Sequence, residues 1–247
     1  AFNNAGFSLF ANNLIDYRDD PIISLTIPAL LILGGLGFTV IVDLVRNRRW
    51  RKLKLHSKLM LLMTPGLLLL GTLMFWLLEH NNPATFGNAG PGGQLMAAFF
   101  QSATARTAGF NTVDIGQMVP ASLLFMMMLM FIGAGATSTG GGIKVTTFAV
   151  VLLATRAFLT KRPHVTAFGR TLSPQIVTRS LAIIIVSTMV LMLAMFLLML
   201  TESQPFDKIM FETVSAFATV GLSTGITASL SEPGKLILVL VMICGRL

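Results

Sequence analysis

The sequence predicts an all-α integral membrane protein in which tandem membrane–pore-loop–membrane units surround one pore. Apolar residues make up 54% of the chain and charged residues 11%, and the mean hydropathy is +0.78. Soluble domains ordinarily carry about 25% charged residues, so this balance favours a membrane protein. Apolar windows of about 20 residues recur along the chain, and one short glycine motif occurs three times.

The repeated motif is a glycine that follows a small residue and precedes a large apolar residue. Its copies are Asn3-Asn4-Ala5-Gly6-Phe7-Ser8, Arg106-Thr107-Ala108-Gly109-Phe110-Asn111-Thr112 and Ala218-Thr219-Val220-Gly221-Leu222-Ser223-Thr224, with glycine intervals of 103 and 112 residues. Glycine tolerates backbone angles that turn successive carbonyls the same way, and rings of such carbonyls can replace the water around a potassium ion. A single small-residue motif would indicate helix packing, whereas three matched copies predict pore loops.

The first half of the chain contains two predicted spans and one short helix. Residues 22–45 form an apolar span that is interrupted by Pro28 and by the glycines of 34–37. A basic segment with seven Lys/Arg follows at 46–58, and 59–78 is the second span. Residues 79–93 are polar and rich in Gly, Asn and Pro, which predicts a loop. The moderately apolar stretch 94–105 is too short to cross a bilayer, so we expect a half-depth helix that leads into the second glycine motif.

The second half opens with about 40 mostly apolar residues, 120–159. A single helix of that length would measure about 60 Å, twice the hydrocarbon thickness. Five glycines fall within the twelve residues 133–144, so we predict a helix that is broken there. A basic stretch at 161–170, a span at 181–200 and a second short helix at 206–218 follow. Residues 236–247 begin one more span.

The elements divide the chain into three units: 1–58, 59–170 and 171–247. The first lacks its opening span and short helix, and the last lacks most of its closing helix. We therefore expect an internal piece, or the ordered part, of a longer polypeptide, with a further unit upstream. Twelve of the 18 Lys/Arg lie in 46–58 and 156–179. The excess of Lys/Arg on cytoplasmic loops places these segments inside the cell and the glycine loops outside, in a multi-pass protein of the cell membrane.

At these motifs the sequence resembles the Ktr/Trk/HKT superfamily of potassium transporters over essentially the whole chain, and the Ile-Lys-Val-Thr-Thr-Phe run at 143–148 leans toward the Ktr branch. The resemblance implies four units on one chain, of which the last three are present here. It implies potassium as the transported ion, leaves sodium open, and indicates no organic cofactor, no enzyme activity and no nucleic-acid partner. It further implies a homodimer in the lipid bilayer and a cytosolic nucleotide-binding regulatory ring. The expected filter residues are Asn4, Ala5, Gly6, Phe7, Thr107, Ala108, Gly109, Phe110, Thr219, Val220, Gly221 and Leu222.

The glycine-rich break is the second candidate site. Glycine and small hydroxyl residues do not favour a lipid-facing helix, and irregular backbone at membrane depth must be buried or line water. A simple kink in a long helix is the alternative. The superfamily has an intramembrane loop below the filter at this place, which gates the pore. The expected gate residues are Gly133, Gly135, Thr137, Ser138, Thr139, Gly140, Gly141, Gly142 and Lys144.

Three further charged residues carry predictions. Arg246 lies beside Gly245 in an apolar helix, and an ionisable residue at membrane depth is a functional candidate. The resemblance places it below the filter, where it would repel ions and hold the gate loop, and snorkelling to the interface is the alternative. We expect Arg106 to be structural, bonded to loop carbonyls, Asp114 or Glu212. We expect Asp43 to pair with a neighbouring arginine.

Two other classes of function remain open at this point. A secondary transporter with a broken helix would use 133–142 as an unwound substrate site at the membrane midplane. A membrane scaffold without transport activity would leave the repeated loops unexplained. Cation currents through the full-length protein would favour the pore, and coupled uptake of an organic substrate would favour the transporter.

Overall fold

The computed structural model describes residues 1–10 and 12–246 and is mainly helical. In the numbering that the resemblance implies, the second unit (1–58) contributes α1 (Pro21–Leu36) and α2 (Phe38–Arg46). The third contributes α3 (Leu55–Glu79), α4 (Pro91–Thr104), α5 (Pro120–Phe131) and α6 (Val145–Leu159). The fourth contributes α7 (Pro174–Thr201), α8 (Phe206–Phe217) and α9 (Glu232–Arg246). The all-helical membrane class is confirmed, apart from a two-stranded antiparallel hairpin of β1 (Thr166–Ala167) and β2 (Arg170–Thr171).

The long helices match the predicted spans. Among the described residues, α3 and α7 are long and apolar enough to cross a membrane, and α1 with α2 would make a third span if the pair is counted as one. Exposed apolar side chains such as Leu69, Met189 and Phe196 cover α3 and α7, as expected for surfaces that face lipid.

The interruption of the 22–45 span that is predicted at 34–37 is present as a sharp bend, because the helix axis turns by 87° between α1 and α2. Gly37 is the hinge, with φ 87°. A Cβ there would lie 2.5 Å from the carbonyl oxygen of Ala136, so only glycine fits. Pro28, by contrast, stays inside α1. Asp20 begins α1 by accepting hydrogen bonds from the backbone N–H groups of Ile22 and Ile23.

The helices of the third and fourth units follow the same order. In each unit a long helix packs on a short one, namely α3 on α4 and α7 on α8. An irregular loop then leads through a 3₁₀ turn, Ile115–Gln117 or Thr227–Ser229, into the next apolar helix. Buried aromatic and methionine side chains from both units form one core, including Phe75, Met126, Met130 and Phe211.

Two carboxylates tie the ends of these units together. Glu79, at the end of α3, accepts a hydrogen bond from the backbone N–H of Val119, which directly precedes α5. Glu202, at the end of α7, accepts from the backbone N–H of Ser231, which directly precedes α9. The same contact therefore closes both repeats.

The expected arginine partner of Asp43 is wrong. The Asp43 carboxylate accepts a hydrogen bond from the side-chain amide of Asn47 at 2.9 Å and from the backbone N–H of Lys54 at 2.9 Å. Asp43 is buried and stabilises the turn between α2 and α3, because its carboxylate accepts hydrogen bonds from donors on both sides of that turn.

Candidate functional site

The three glycine motifs meet at one place. A Cβ added at Gly6 would lie 2.6 Å from the Ala108 carbonyl oxygen and 2.8 Å from the Cα of Gly109. A Cβ at Gly109 would lie 2.6 Å from the Val220 carbonyl oxygen and 3.6 Å from the Cα of Gly221. Gly109 therefore sits between Gly6 and Gly221, and the neighbouring backbone lies too close for a side chain at Gly6 and Gly109.

The three loops share one backbone pattern. Gly6, Gly109 and Gly221 have φ of 69°, 76° and 87°. The residue two positions earlier is also left-handed in each copy: Asn4 at 51°, Thr107 at 67° and Thr219 at 51°. Such angles are uncommon for residues other than glycine and strained for a β-branched threonine. The Asn or Thr two residues before each glycine is among the filter residues predicted from the sequence, but its left-handed backbone is not predicted there.

The large residue after each glycine is not equally covered. Phe110 and Leu222 are buried behind their loops, whereas Phe7 is 90% exposed. Phe7 and Ala5 line a cleft of about 400 Å³ together with Gly221 and Leu222 of the fourth unit. The first and third copies of the motif therefore face each other across an open space, while the second copy, 107–110, contacts both.

A hydroxyl near the end of each short helix holds the loop from behind. Thr104 in α4 accepts the Ala108 N–H with its backbone carbonyl and donates its hydroxyl to the carbonyl of Phe110. Ser215 in α8 accepts the Val220 N–H at 2.9 Å and donates its hydroxyl to the Leu222 carbonyl at 2.6 Å. Each of the two residues thus fixes the loop on both sides of the glycine, with its backbone carbonyl before the glycine and its hydroxyl after it. Neither residue was among those predicted from the sequence.

One helical turn earlier, each short helix places a polar side chain against the segment that follows the loop. Gln101 donates to the Thr112 hydroxyl at 3.3 Å. Glu212 accepts hydrogen bonds from Ser223, from the Thr224 N–H and hydroxyl, and from the Thr227 hydroxyl. Because Glu212 is fully occupied there, the expected contact between Arg106 and Glu212 is wrong.

Arg106 lies behind the third unit's loop. Its side chain is 8% exposed and donates to the backbone carbonyl of Thr64 in α3 at 3.3 Å. The contact with Asp114 is also wrong, since that carboxylate accepts the backbone N–H of Gly116. No ion pair among residues 1–10 and 12–246 includes Arg106. Arg106 therefore joins the loop to α3 through a backbone carbonyl rather than to a carboxylate.

The predicted break between two helices is present at 132–144, between α5 and α6. The two ends of the break lie side by side, because the Gly133 N–H donates to the Ile143 carbonyl and the Val145 N–H donates to the Ala134 carbonyl. Segment 135–142 is therefore a closed loop between two half-length helices, and the kinked-helix alternative is wrong.

This loop is packed directly against the glycine motifs. A Cβ at Gly140 would overlap the hydroxyl of Thr107, and a Cβ at Gly141 would overlap the hydroxyl of Thr219. On another side, the Gly135 N–H donates to the Gly35 carbonyl at 2.9 Å, and the Thr137 and Thr39 hydroxyls are 3.0 Å apart. The loop thus contacts all three units.

Arg246 and Lys144 both donate to carbonyls of the loop. Arg246 reaches the Thr139 carbonyl at 2.5 Å, and Lys144 reaches the Gly140 carbonyl at 2.7 Å. The Gly142 N–H donates to the Gly245 carbonyl at 3.2 Å. Ser138 closes the loop internally by donating to the Gly135 carbonyl. The predicted contact between Arg246 and the glycine-rich loop is therefore present.

Comparisons with known proteins agree on one family. The profile of the TrkH family, described as a cation transport protein, matches residues 1–247. The chain is 59% identical over 251 residues to the Ktr system potassium uptake protein B of Vibrio alginolyticus and 44% identical over 247 residues to that of Bacillus subtilis strain 168. All of this chain is matched, against 55% and 56% of those relatives, so the chain spans about half their length.

A solved structure has the same fold. The crystal structure of the potassium transporter TrkH from Vibrio parahaemolyticus aligns with a TM-score of 0.80 at 20% sequence identity. The alignment covers 99% of this chain and 54% of that one. At this identity the likeness shows the fold alone.

Proposed function

We propose, from the premise that this chain belongs to the TrkH family of cation transport proteins, that it forms three quarters of a potassium-selective pore. The observation that carries the proposal is the convergence of Gly6, Gly109 and Gly221 in three loops that share one left-handed backbone pattern. Backbone carbonyls arranged in this way can replace the hydration shell of an alkali cation.

In this proposal each of the three units, 1–58, 59–170 and 171–247, supplies one filter loop. A fourth loop would occupy the cleft of about 400 Å³ between Phe7 and Leu222. Potassium would enter from the outside, bind the carbonyls of 4–7, 107–110 and 219–222, and leave toward the cytoplasm. The membrane potential would drive uptake with about 2.3 kcal/mol per charge per 100 mV.

The loop 133–144 is the proposed gate. Support comes from its position, since Gly140 and Gly141 press against the Thr107 and Thr219 hydroxyls at the inner end of the filter loops. Ions that leave the filter would meet this loop next. Arg246 would hold it closed through the Thr139 carbonyl and would repel cations in transit. Deletion of 134–141 should therefore raise flux, and unchanged flux would contradict the gate.

The basic segments 46–58 and 156–179 would face the cytoplasm of a cell whose plasma membrane holds the protein. The relatives of V. alginolyticus and B. subtilis are named as parts of a Ktr system. A homodimer and a cytosolic nucleotide-binding ring are accordingly proposed as partners, and potassium as the transported ion.

The testing experiment is potassium uptake by cells that lack their own uptake systems and express the full-length parent protein. Gly109→Ser should abolish uptake or admit sodium, because its Cβ would collide with the Val220 carbonyl oxygen. Gly92→Ser is the matched control, since Gly92 lies in α4 and a Cβ there would have nothing within 4 Å. Equal uptake by the two variants would contradict a filter role for Gly109.

A further inference from the structure

A small polar pocket is built where α6 ends. It has a volume of about 70 Å³ and is lined by residues of α6 and of the segment that follows. Leu153, Arg156, Ala157 and Thr160 recur at helical spacing and so share one face of the helix end. Arg162, His164 and Thr166, from the segment after the helix, complete the lining of the pocket.

A defined turn closes this pocket. Lys161 is left-handed, with φ 52°. Its N–H donates to the Phe158 carbonyl, and the N–H of Arg162 donates to the Ala157 carbonyl. This pair of bonds is the Schellman arrangement at a helix C-terminus. The turn reverses the chain and brings Arg162 and His164 back against the helix, and the β1–β2 hairpin continues from there. The pocket is therefore formed by ordered backbone.

The charges around the pocket are not balanced. The two ion pairs in the described part of the chain join Arg18 to Asp19 and Lys235 to Glu232, and neither is near the pocket. The basic segments 46–58 and 156–179 contain no acidic residue. Asp43, just before the first of them, already accepts hydrogen bonds from Asn47 and Lys54. A helix C-terminus carries about half a negative charge, but two guanidinium groups outweigh it. The pocket therefore favours an anion.

The surroundings of the pocket point to a lipid. Phe158 and Leu159, in the last turn of α6, are 82% and 73% exposed, and Leu152 is half exposed. Apolar side chains thus lie beside the basic pocket at the end of an apolar helix, where acyl chains end and headgroups begin. Basic pockets at the cytoplasmic ends of membrane helices bind anionic headgroups.

We propose that Arg156, Arg162 and His164 bind the phosphate of an anionic phospholipid, with Thr166 as a hydroxyl donor and Phe158 and Leu159 against its acyl chains. The assignment to the cytoplasmic leaflet rests on the orientation in the proposed function. The pocket and its preference for phosphate do not, so lipid binding can be tested separately from transport.

The test uses the purified full-length parent protein in nanodiscs, with phosphatidylglycerol titrated into phosphatidylcholine. Native mass spectrometry counts the lipid that stays bound. The double variant Arg156→Gln/Arg162→Gln should bind phosphatidylglycerol about 30-fold more weakly, because it loses two basic side chains that attract anionic lipid at a membrane surface. The matched control is Arg48→Gln/Arg51→Gln, which removes the same charge from the other basic segment and should lose less binding, because neither residue lines the pocket.

The outcomes separate the possibilities. Equal loss in both double variants would indicate general surface charge and overturn the site, as would no loss in either. If inorganic phosphate stabilises the protein against thermal unfolding in pure phosphatidylcholine, and the protein shows no preference for phosphatidylglycerol, the pocket is assigned to a free anion instead. If the Arg156→Gln/Arg162→Gln variant keeps its lipid but no longer binds a cytosolic protein partner, the pocket is assigned to that partner. Arg156→Lys/Arg162→Lys, which keeps the charge, should retain binding. Binding by this variant would show that substitution at these two positions does not itself unfold the pocket.

Discussion

Gln101 and Glu212 occupy corresponding places behind two of the three glycine loops. Each lies three residues before the hydroxyl residue, Thr104 or Ser215, that donates to a loop carbonyl. Each also bonds the threonine three residues after the glycine, Thr112 or Thr224. Glu212 alone is charged, and it accepts hydrogen bonds from three residues of the 223–227 segment. The fourth unit's loop is thus fastened by a buried carboxylate where the third unit uses an amide.

Replacing Glu212 by alanine should destabilise the protein. The substitution leaves the buried Thr224 N–H without its acceptor, and a hydrogen bond to a charged group contributes about 1.5–3 kcal/mol. Thermal unfolding of the full-length protein in detergent would measure the loss. Glu212→Gln should cost less, because the amide oxygen can still accept that N–H. Glu232→Gln is the control, since its side chain is 89% exposed. An unchanged midpoint for Glu212→Ala would contradict this role.

The hydroxyls of Thr104 and Ser215 should matter for ion selectivity more than for folding. Thr104→Val keeps the side-chain shape but leaves the Phe110 carbonyl without its donor. An unsatisfied buried group costs about 1–3 kcal/mol, and a loop carbonyl without a donor can rotate. We expect a lower ratio of potassium to sodium uptake. Thr72→Val is the control, because that hydroxyl bonds only the Leu68 carbonyl of its own helix. Equal selectivity in the two variants would show that the hydroxyl does not hold the filter.

Much of this arrangement was predictable from the residues alone. The glycine motifs, the short helices α4 and α8 and the break before α6 follow from apolar length and glycine density. The interruption at 34–37 was predictable but its 87° angle was not, since the bend brings Gly37 against the Ala136 carbonyl, about 100 positions away. The partners of Arg106 and Asp43 were missed for a related reason. Charge complementarity suggested a carboxylate for Arg106 and an arginine for Asp43. Instead, Arg106 donates to a backbone carbonyl, and Asp43 accepts from an amide and a backbone N–H.

Contact between the proposed gate and the filter can be tested as a pair. Gly141→Ala should raise potassium uptake, because the new methyl group would overlap the Thr219 hydroxyl and push loop 133–144 away from its closed position. Thr219→Ala removes that hydroxyl and its methyl group, so uptake by the double variant should return toward that of the unmodified protein. The measurement is a double-mutant cycle on potassium uptake, in which residues in contact show non-additive effects. Additive changes would mean that the two positions do not meet in the working protein.

Arg246 provides the most direct test of the gate itself. Arg246→Gln removes the positive charge and also falls short of the Thr139 carbonyl, whereas Arg246→Lys keeps the charge and shortens the reach by one bond. If the charge is the barrier, Arg246→Gln should conduct potassium faster and Arg246→Lys should resemble the unmodified protein. If the hydrogen bond holds the loop closed, Arg246→Lys should also conduct faster than the unmodified protein. Potassium flux into proteoliposomes, measured with equal amounts of folded protein, distinguishes these results. Slower flux in both folded variants would contradict both kinds of barrier, because removing charge repulsion or opening the loop should raise the rate.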